Sequence, residues 1–283
     1  MKKLFAFVIF VLAIAALGWW YFHPRSLPNE GPAYREYAYV SNGKSNTVSV
    51  INLRTLEPAT TIPVGLEPTG IAANNKKNEV YVVNTGSNNV SVIDVERNQL
   101  VATIGVHGKP YFIDVSADGK RGYVANSASA NVSVLDLEKR IVLGTIRVGN
   151  SPGLARVSPD GNTVVVSNRG DNTVSEIDAG RLAVISTIPV CEHPEDIVIL
   201  PDNSKAFVAC TGSAPVASID LKSGKLLTLL DVGKTPVHLA VKPDGGEIMV
   251  SNFDSSSISI VETTTNEVSG SYLIGEHPAQ SVV

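Results

Sequence analysis

Asp114, Arg156, Asp196, His238 and Gln280 occupy two positions of a pattern that returns every 42 residues, where plain copies carry Gly70 or Ala72. Their types suggest recognition chemistry. A guanidinium such as that of Arg156 grips a carboxylate or phosphate through parallel N–H···O bonds, and a His–Asp set suits a cation. Ionised groups away from water must be paired, hydrated or bound to something, because isolated burial is costly. Asp114 and Arg156 stand at equivalent places in successive copies, so a salt bridge between copies is the plainer alternative. His193 and His277 share a further position, directly before a Pro, and complete the candidate ligand-binding set of Asp114, Arg156, Asp196, His238, His193 and His277. Against including those two, Glu67, Lys109, Ser151 and Thr235 fill the same position elsewhere, as a solvent-facing loop would allow.

The two cysteines, Cys191 and Cys210, stand where other copies carry mostly Gly and Asn. Cys191 precedes one expected strand and Cys210 ends the next, which sets both at one rim of the fold. In an oxidising compartment a disulfide is expected; free thiols, or a metal site shared with His193, are the alternatives. The sequence holds no Gly-rich nucleotide loop, nucleophile elbow, His-Glu-x-x-His motif or haem-attaching Cys-x-x-Cys-His. No catalytic residue is therefore assigned, no cofactor or metal is identified, and an enzyme is the less favoured class. The Asn-Val-Ser triplets at Asn89 and Asn131 match a glycosylation acceptor, but read more simply as by-products of a repeated strand.

The elements that position these residues come from the repeat itself. YVSNGKSNTVSVIN at 39–52 returns as YVVNTGSNNVSVID at 81–94 and YVANSASANVSVLD at 123–136. Asn42, Asn84, Asn126, Asn168 and Asn252 share one column, with Cys210 in the remaining place; Pro68, Pro110, Pro152, Pro194, Pro236 and Pro278 fill another. A third holds Asn52, Asp94, Asp136, Asp178, Asp220 and Glu262, suited to capping a strand end. Within one copy, short apolar or alternating runs separated by Asp-Gly and Asn-rich turns read as four strands and leave no room for helices. Such a unit cannot bury both faces alone, so neighbours must pack face to face around an axis. The expected fold is an all-β propeller of four-stranded blades over residues 39–283, with six 42-residue repeats. The chain starts at a second strand and ends at a first strand, AQSVV, which predicts a six-bladed ring closed by the C-terminal strand; seven blades is the alternative if the chain is truncated.

The YVSN, YVVN and YVAN segments, the NTVSVIN-type strand that follows them, the Val-Gly ending and the Pro column resemble the YVTN-repeat propellers. These are YncE-like and surface-layer-type proteins that work outside the cytoplasm. The resemblance covers residues 39–283 and implies the fold; it implies little about function, because the matching residues are structural ones. It also links the chain to the haem d1 and quinoprotein dehydrogenase propellers and, more distantly, to lactonase propellers. A cofactor-binding, redox or hydrolytic role is therefore the alternative to a binding or scaffold module. Nucleic-acid binding is implied for some YncE-like relatives. Residues 39–283 hold 19 Lys and Arg against 25 Asp and Glu, a balance of −6, which argues against a phosphate-binding face here.

Residues 1–22 differ in kind: Lys2 and Lys3 precede an uncharged apolar run from Leu4 to Phe22 that ends in Gly-Trp-Trp-Tyr-Phe. As a helix it would reach about 28 Å, the thickness of a bilayer core, with aromatics at the interface and lysines inside. A signal-anchor is expected, with 23–38 as a linker and the propeller in the periplasm or extracellular space; the alternative is secretion after cleavage near Ala15. The expected function is thus a membrane-anchored or exported propeller that binds an unidentified protein or small molecule through its rim and channel mouth.

Overall fold

The computed structural model describes residues 36–283, and every regular element in them is a β-strand. Twenty-three strands form five four-stranded antiparallel sheets and one three-stranded sheet, so six blades stand where six repeats were expected. Blades 1 to 6 span 37–63, 68–105, 110–147, 152–189, 194–231 and 236–273. The expected N-terminal helix over residues 4–22 and most of the linker lie outside the described residues. Among the described residues no helix is long and apolar enough to cross a membrane.

Blade 3 shows why the sequence folds this way. Its inner strand, Pro110–Val115, opens with a Pro, which a ladder tolerates at its first residue. The following turn is tied by Asp118, whose Oδ1 accepts from Ser116 Oγ at 2.7 Å and Lys120 N at 3.0 Å, and Gly119 supplies the left-handed residue at φ 71°. The second strand, Arg121–Asn126, ends at the repeated Asn, whose Nδ2 donates to Asn131 Oδ1 and Ser133 Oγ on the third strand, Asn131–Asp136. Asp136 then caps the turn into the outer strand, Ile141–Arg147, accepting from Glu138 N and Lys139 N. Asn52, Asp94, Asp178 and Asp220 repeat that cap. The Asn-Val-Ser triplets belong to this scheme, since Asn89 and Asn131 accept from the Asn of their own blade.

The core lies between blades. Five buried clusters each join neighbouring sheets; one, for example, packs Tyr123, Val132 and Val134 of blade 3 against Ala155, Val164 and Ile177 of blade 4. Each such interface removes two apolar sheet faces from water, the problem that no single blade can solve.

The expected closing ladder is not formed. No strand is present after Leu273, and Tyr37–Asn42 pairs with the next strand of its own blade only. The cost is visible in burial: none of the six residues of Tyr37–Asn42 is buried, whereas all six of its equivalent in blade 2, Glu79–Asn84, are. The polar contacts of the tail go sideways into blade 6 instead, Ser281 N donating to His238 Nδ1 at 3.3 Å and Ser281 Oγ meeting Ser251 Oγ at 3.3 Å. A tail held from the side cannot also present a row of N–H and C=O groups to blade 1.

Candidate functional site: the channel mouth

The inner strands of blades 2 to 6 run each against the next and line the channel. At the rim where they begin, a cavity of about 480 Å³ is lined by residues from all five, among them Thr69, Tyr111, Arg156, Glu195 and Asp196, together with His238 and, from the tail, Gln280. Beyond it a cavity of about 330 Å³ holds Asp114 among Val and Ile side chains. Arg156 lines both, so it stands at the waist between them.

Four of the six candidate residues thus meet. Arg156 Nη1 lies 3.9 Å from Asp114 Oδ1 and Arg156 Nη2 lies 3.8 Å from Asp196 Oδ1, while His238 Nε2 is 3.9 Å from Asp196 Oδ2. These separations give charge attraction without hydrogen bonds. The guanidinium carbon of Arg156 sits 4.7 Å from the centre of the Phe112 ring, a cation–π arrangement.

The carboxylates are fixed by other bonds. Asp114 Oδ2 accepts from Val157 N at 3.0 Å and Asp196 Oδ2 from Leu239 N at 2.9 Å, each reaching the inner strand of the following blade. His238 Nδ1 accepts from Ser281 N in the same relation, which puts the proton of a neutral ring on Nε2, facing Asp196. These side chains therefore stitch blades together as well as furnishing the cavity. The plain salt-bridge alternative is present only as the long Asp114–Arg156 contact, which Arg156 shares with Asp196. Burial pushes the Asp114 carboxyl above its ordinary range, against the pull of Arg156 and of the Val157 and Val115 N–H groups.

His193 and His277 are placed differently. Both are exposed, left-handed turn residues, at φ 51° and 52°, and neither lines either cavity. The whole column shares that conformation, and the N–H groups of Glu67, Lys109 and His193 donate to Asn46, Asn88 and Asn172. The His277 ring packs on Phe253 with centroids 4.4 Å apart.

Three cavity features are not among the expected residues. Glu195 pairs with Arg169, Arg169 lies over the Tyr111 ring at 4.3 Å, and Gly153 leaves the space that Arg169 fills, since a Cβ there would meet its Nε at 2.5 Å. Burial raises the Glu195 carboxyl, with Arg169 pulling it back. A signal was available: Thr69, Tyr111, Gly153, Glu195, Val237 and Ala279 share one column and no two are alike.

Cys191 and Cys210 are disulfide-bonded, with Cα atoms 5.7 Å apart, and no free cysteine is present. Their place explains them. Elsewhere a Gly packs against the repeated Asn 19 residues later: a Cβ on Gly149 or Gly233 would come within 2.7 Å of Asn168 or Asn252. The disulfide takes the place of that Gly–Asn contact in blade 5. Among the described residues no three His, Cys, Asp or Glu stand together as a set that could hold a metal ion.

Residues 31–157 match the family described as YNCE-like beta-propeller. No curated protein matches the chain. Among solved structures, the chain is similar to Kuenenia stuttgartiensis hydrazine synthase, at 21% identity and a TM-score of 0.72, covering 86% of this chain and 85% of that one. It is similar to dihydro-heme d1 dehydrogenase NirN in complex with DHE, at 16% identity and a TM-score of 0.71, covering 89% of this chain and 58% of that one. A functionally unknown protein from Desulfotomaculum acetoxidans gives 18% identity and a TM-score of 0.73, with 86% and 83% covered. At such identities the likeness speaks for the fold alone. With the same 42-residue unit repeated through blade 6, the chain is a six-bladed β-propeller whose residues 31–157 are similar to the YncE-like family.

Proposed function

We propose that the protein is a membrane-anchored or exported propeller that binds a small ligand at its channel mouth, a binding module rather than an enzyme. One observation carries this reading: ionisable groups from separate blades, Arg156, Glu195, Asp196 and His238, converge on a single cavity of about 480 Å³, within the range of small-molecule sites. The other repeated columns are taken up by packing, turn caps and the Asn contact, whereas these positions depart from the repeat on the innermost strand. Native mass spectrometry of the full-length protein isolated from its own membranes is expected to show a small-molecule adduct that the Arg156→Ala/His238→Ala protein lacks. An adduct retained by the folded double variant would put the site elsewhere, on the outer loops. The anchor rests on the length of the Leu4–Phe22 run; recovery of a soluble form beginning shortly after Ala15 would show cleavage instead.

A cofactor-carrying propeller is the second reading, favoured by the fold shared with NirN, whose structure is a complex with DHE. A visible absorption band in the purified protein would select it.

A further inference from the structure

Resting on the channel-mouth reading, we infer that the site takes a small zwitterion, its carboxylate on Arg156 and its ammonium between Asp196 and Glu195. Arg156 carries the first half. Its side chain is only 30% exposed, yet both carboxylates beside it stand at 3.8 and 3.9 Å and its guanidinium makes no hydrogen bond among the described residues. A guanidinium offers five N–H donors in a fixed fork, and the Phe112 ring beneath it sets the plane of that fork. Asp114 and Asp196 cannot close onto it cheaply, because each is tied through Oδ2 to a backbone N–H of the next blade. The donors are thereby left for a ligand with two coplanar oxygens, the geometry of a carboxylate.

The second half follows from the charges around the cavity. At the mouth Arg156 lies near Asp196, and Arg169 pairs with Glu195, two positive groups against two negative, with Asp114 a third carboxylate beyond the waist. A simple anion would meet Asp196 and Glu195, and a simple cation would meet Arg156. A molecule with both charges complements both walls: Asp196 Oδ1, whose only hydrogen bond is from the adjacent Ile197 N, and Glu195, which Arg169 engages through Oε1 alone, keep acceptor capacity for an ammonium. Phe112, Ile71, Leu154 and Val237 supply an apolar wall for a side chain between the charges. Nothing in this arrangement calls for bond making or breaking.

The test is calorimetry on the full-length protein with free α-amino acids as probes, each beside its decarboxylated amine and its N-acetyl acid. The expected result is binding of at least one amino acid with an apolar side chain, weakened about tenfold or more when either charge is removed. Arg156→Lys, which keeps the charge but loses the fork, is expected to weaken the amino acid by about tenfold while leaving the amine unchanged. Asp196→Asn should narrow the gap between the amino acid and its N-acetyl form. An N-acetyl acid that binds as tightly as the parent overturns the zwitterion and leaves the channel-mouth reading standing. Failure of every probe to bind at millimolar concentration overturns it as well, and the native adduct then decides the broader reading separately. Binding indifferent to both Arg156→Lys and Arg156→Ala removes Arg156 from the site and sinks both.

Discussion

The repeated Asn is the residue on which five of the six blades turn. In blade 3, Asn126 Nδ2 gives 2.8 and 2.9 Å bonds to Asn131 and to Ser133, which is fully buried. Asn126→Ala is expected to cost about 1–3 kcal/mol, because it leaves the Ser133 hydroxyl buried without its partner. Adding Ser133→Ala should return part of that loss, measurable as a partial recovery of the urea midpoint. A second residue-scale effect concerns acid. Asp118, Asp160 and Asp220 are held below the ordinary carboxylate range chiefly by the Ser116, Ser158 and Ser223 hydroxyls, and Asp202 chiefly by the Ser204 N–H. A lowered folded pKa contributes stability above the unfolded value, near about 3.9, that is lost as pH falls through the folded value. Asp114, Glu176 and Glu195, raised by burial, act the other way and gain as they protonate. With Asp136, lowered chiefly by the Lys139 N–H, five turn carboxylates outnumber the three, so the thermal midpoint should fall below about pH 4. Asp118→Asn/Asp160→Asn should flatten that acid limb; an unchanged limb would place the acid sensitivity elsewhere.

At the scale of the element, blade 5 shows what the repeat tolerates. Cys210 replaces the Asn, Cys191 the Gly, Pro215 the first acceptor and Ala217 the Ser, so no polar partner is left unpaired when the amide is gone. Reduction of the disulfide would leave this blade with neither device, and closing a loop of 19-residue separation contributes about 3 kcal/mol in the chain-entropy model. Cys191→Ser/Cys210→Ser should therefore lower the denaturant midpoint in proportion. Cys191→Gly/Cys210→Asn/Ala217→Ser, which rebuilds the polar contact of the other blades, should recover most of it and no longer respond to reductant. Equal stability of the two variants would show that the substitution of one device for the other is not what holds blade 5. The strands and turns were legible because the Pro column is written six times and Asp-Gly turns and Asp caps recur in several blades, all of it local chemistry. The Gly–Asn contact was not, since Gly149 lies in the turn before one strand and Asn168 ends the next, and only their packing shows that one lacks a Cβ for the other. Arg169, Glu195 and Tyr111 escaped for a related reason: Arg169 is a turn residue, and Tyr111 and Glu195 sit on inner strands in a column that differs in every copy, whereas Arg156 and Asp196 stand against Ala72 and Gly70 in theirs.

The whole molecule is a row of blades joined by five apolar interfaces, with a tail that reaches the mouth without entering a ladder. In that arrangement residues 278–283 contribute to the cavity wall more than to any sheet. Gln280 lines the mouth cavity and Ser281 N holds His238 Nδ1, yet Val282 and Val283 are 93% and 50% exposed and bury little apolar surface. A fully formed closing strand would have contributed a ladder and a buried face to Tyr37–Asn42, and its loss would expose a sheet edge ready to pair with another chain. The observed tail offers one backbone bond and one serine contact, worth about 1 kcal/mol each at most. Removing residues 278–283 is therefore expected to lower the thermal midpoint by only about 4 °C or less for a domain of this size, while freeing the His238 ring to turn and removing Gln280 from the cavity wall. Ligand binding at the mouth should weaken far more than folding does, and the shortened protein should sediment as the full-length protein does, with no new association. A midpoint loss well beyond that figure, or self-association on deletion, would mean that in solution the tail does close the ring against Tyr37–Asn42.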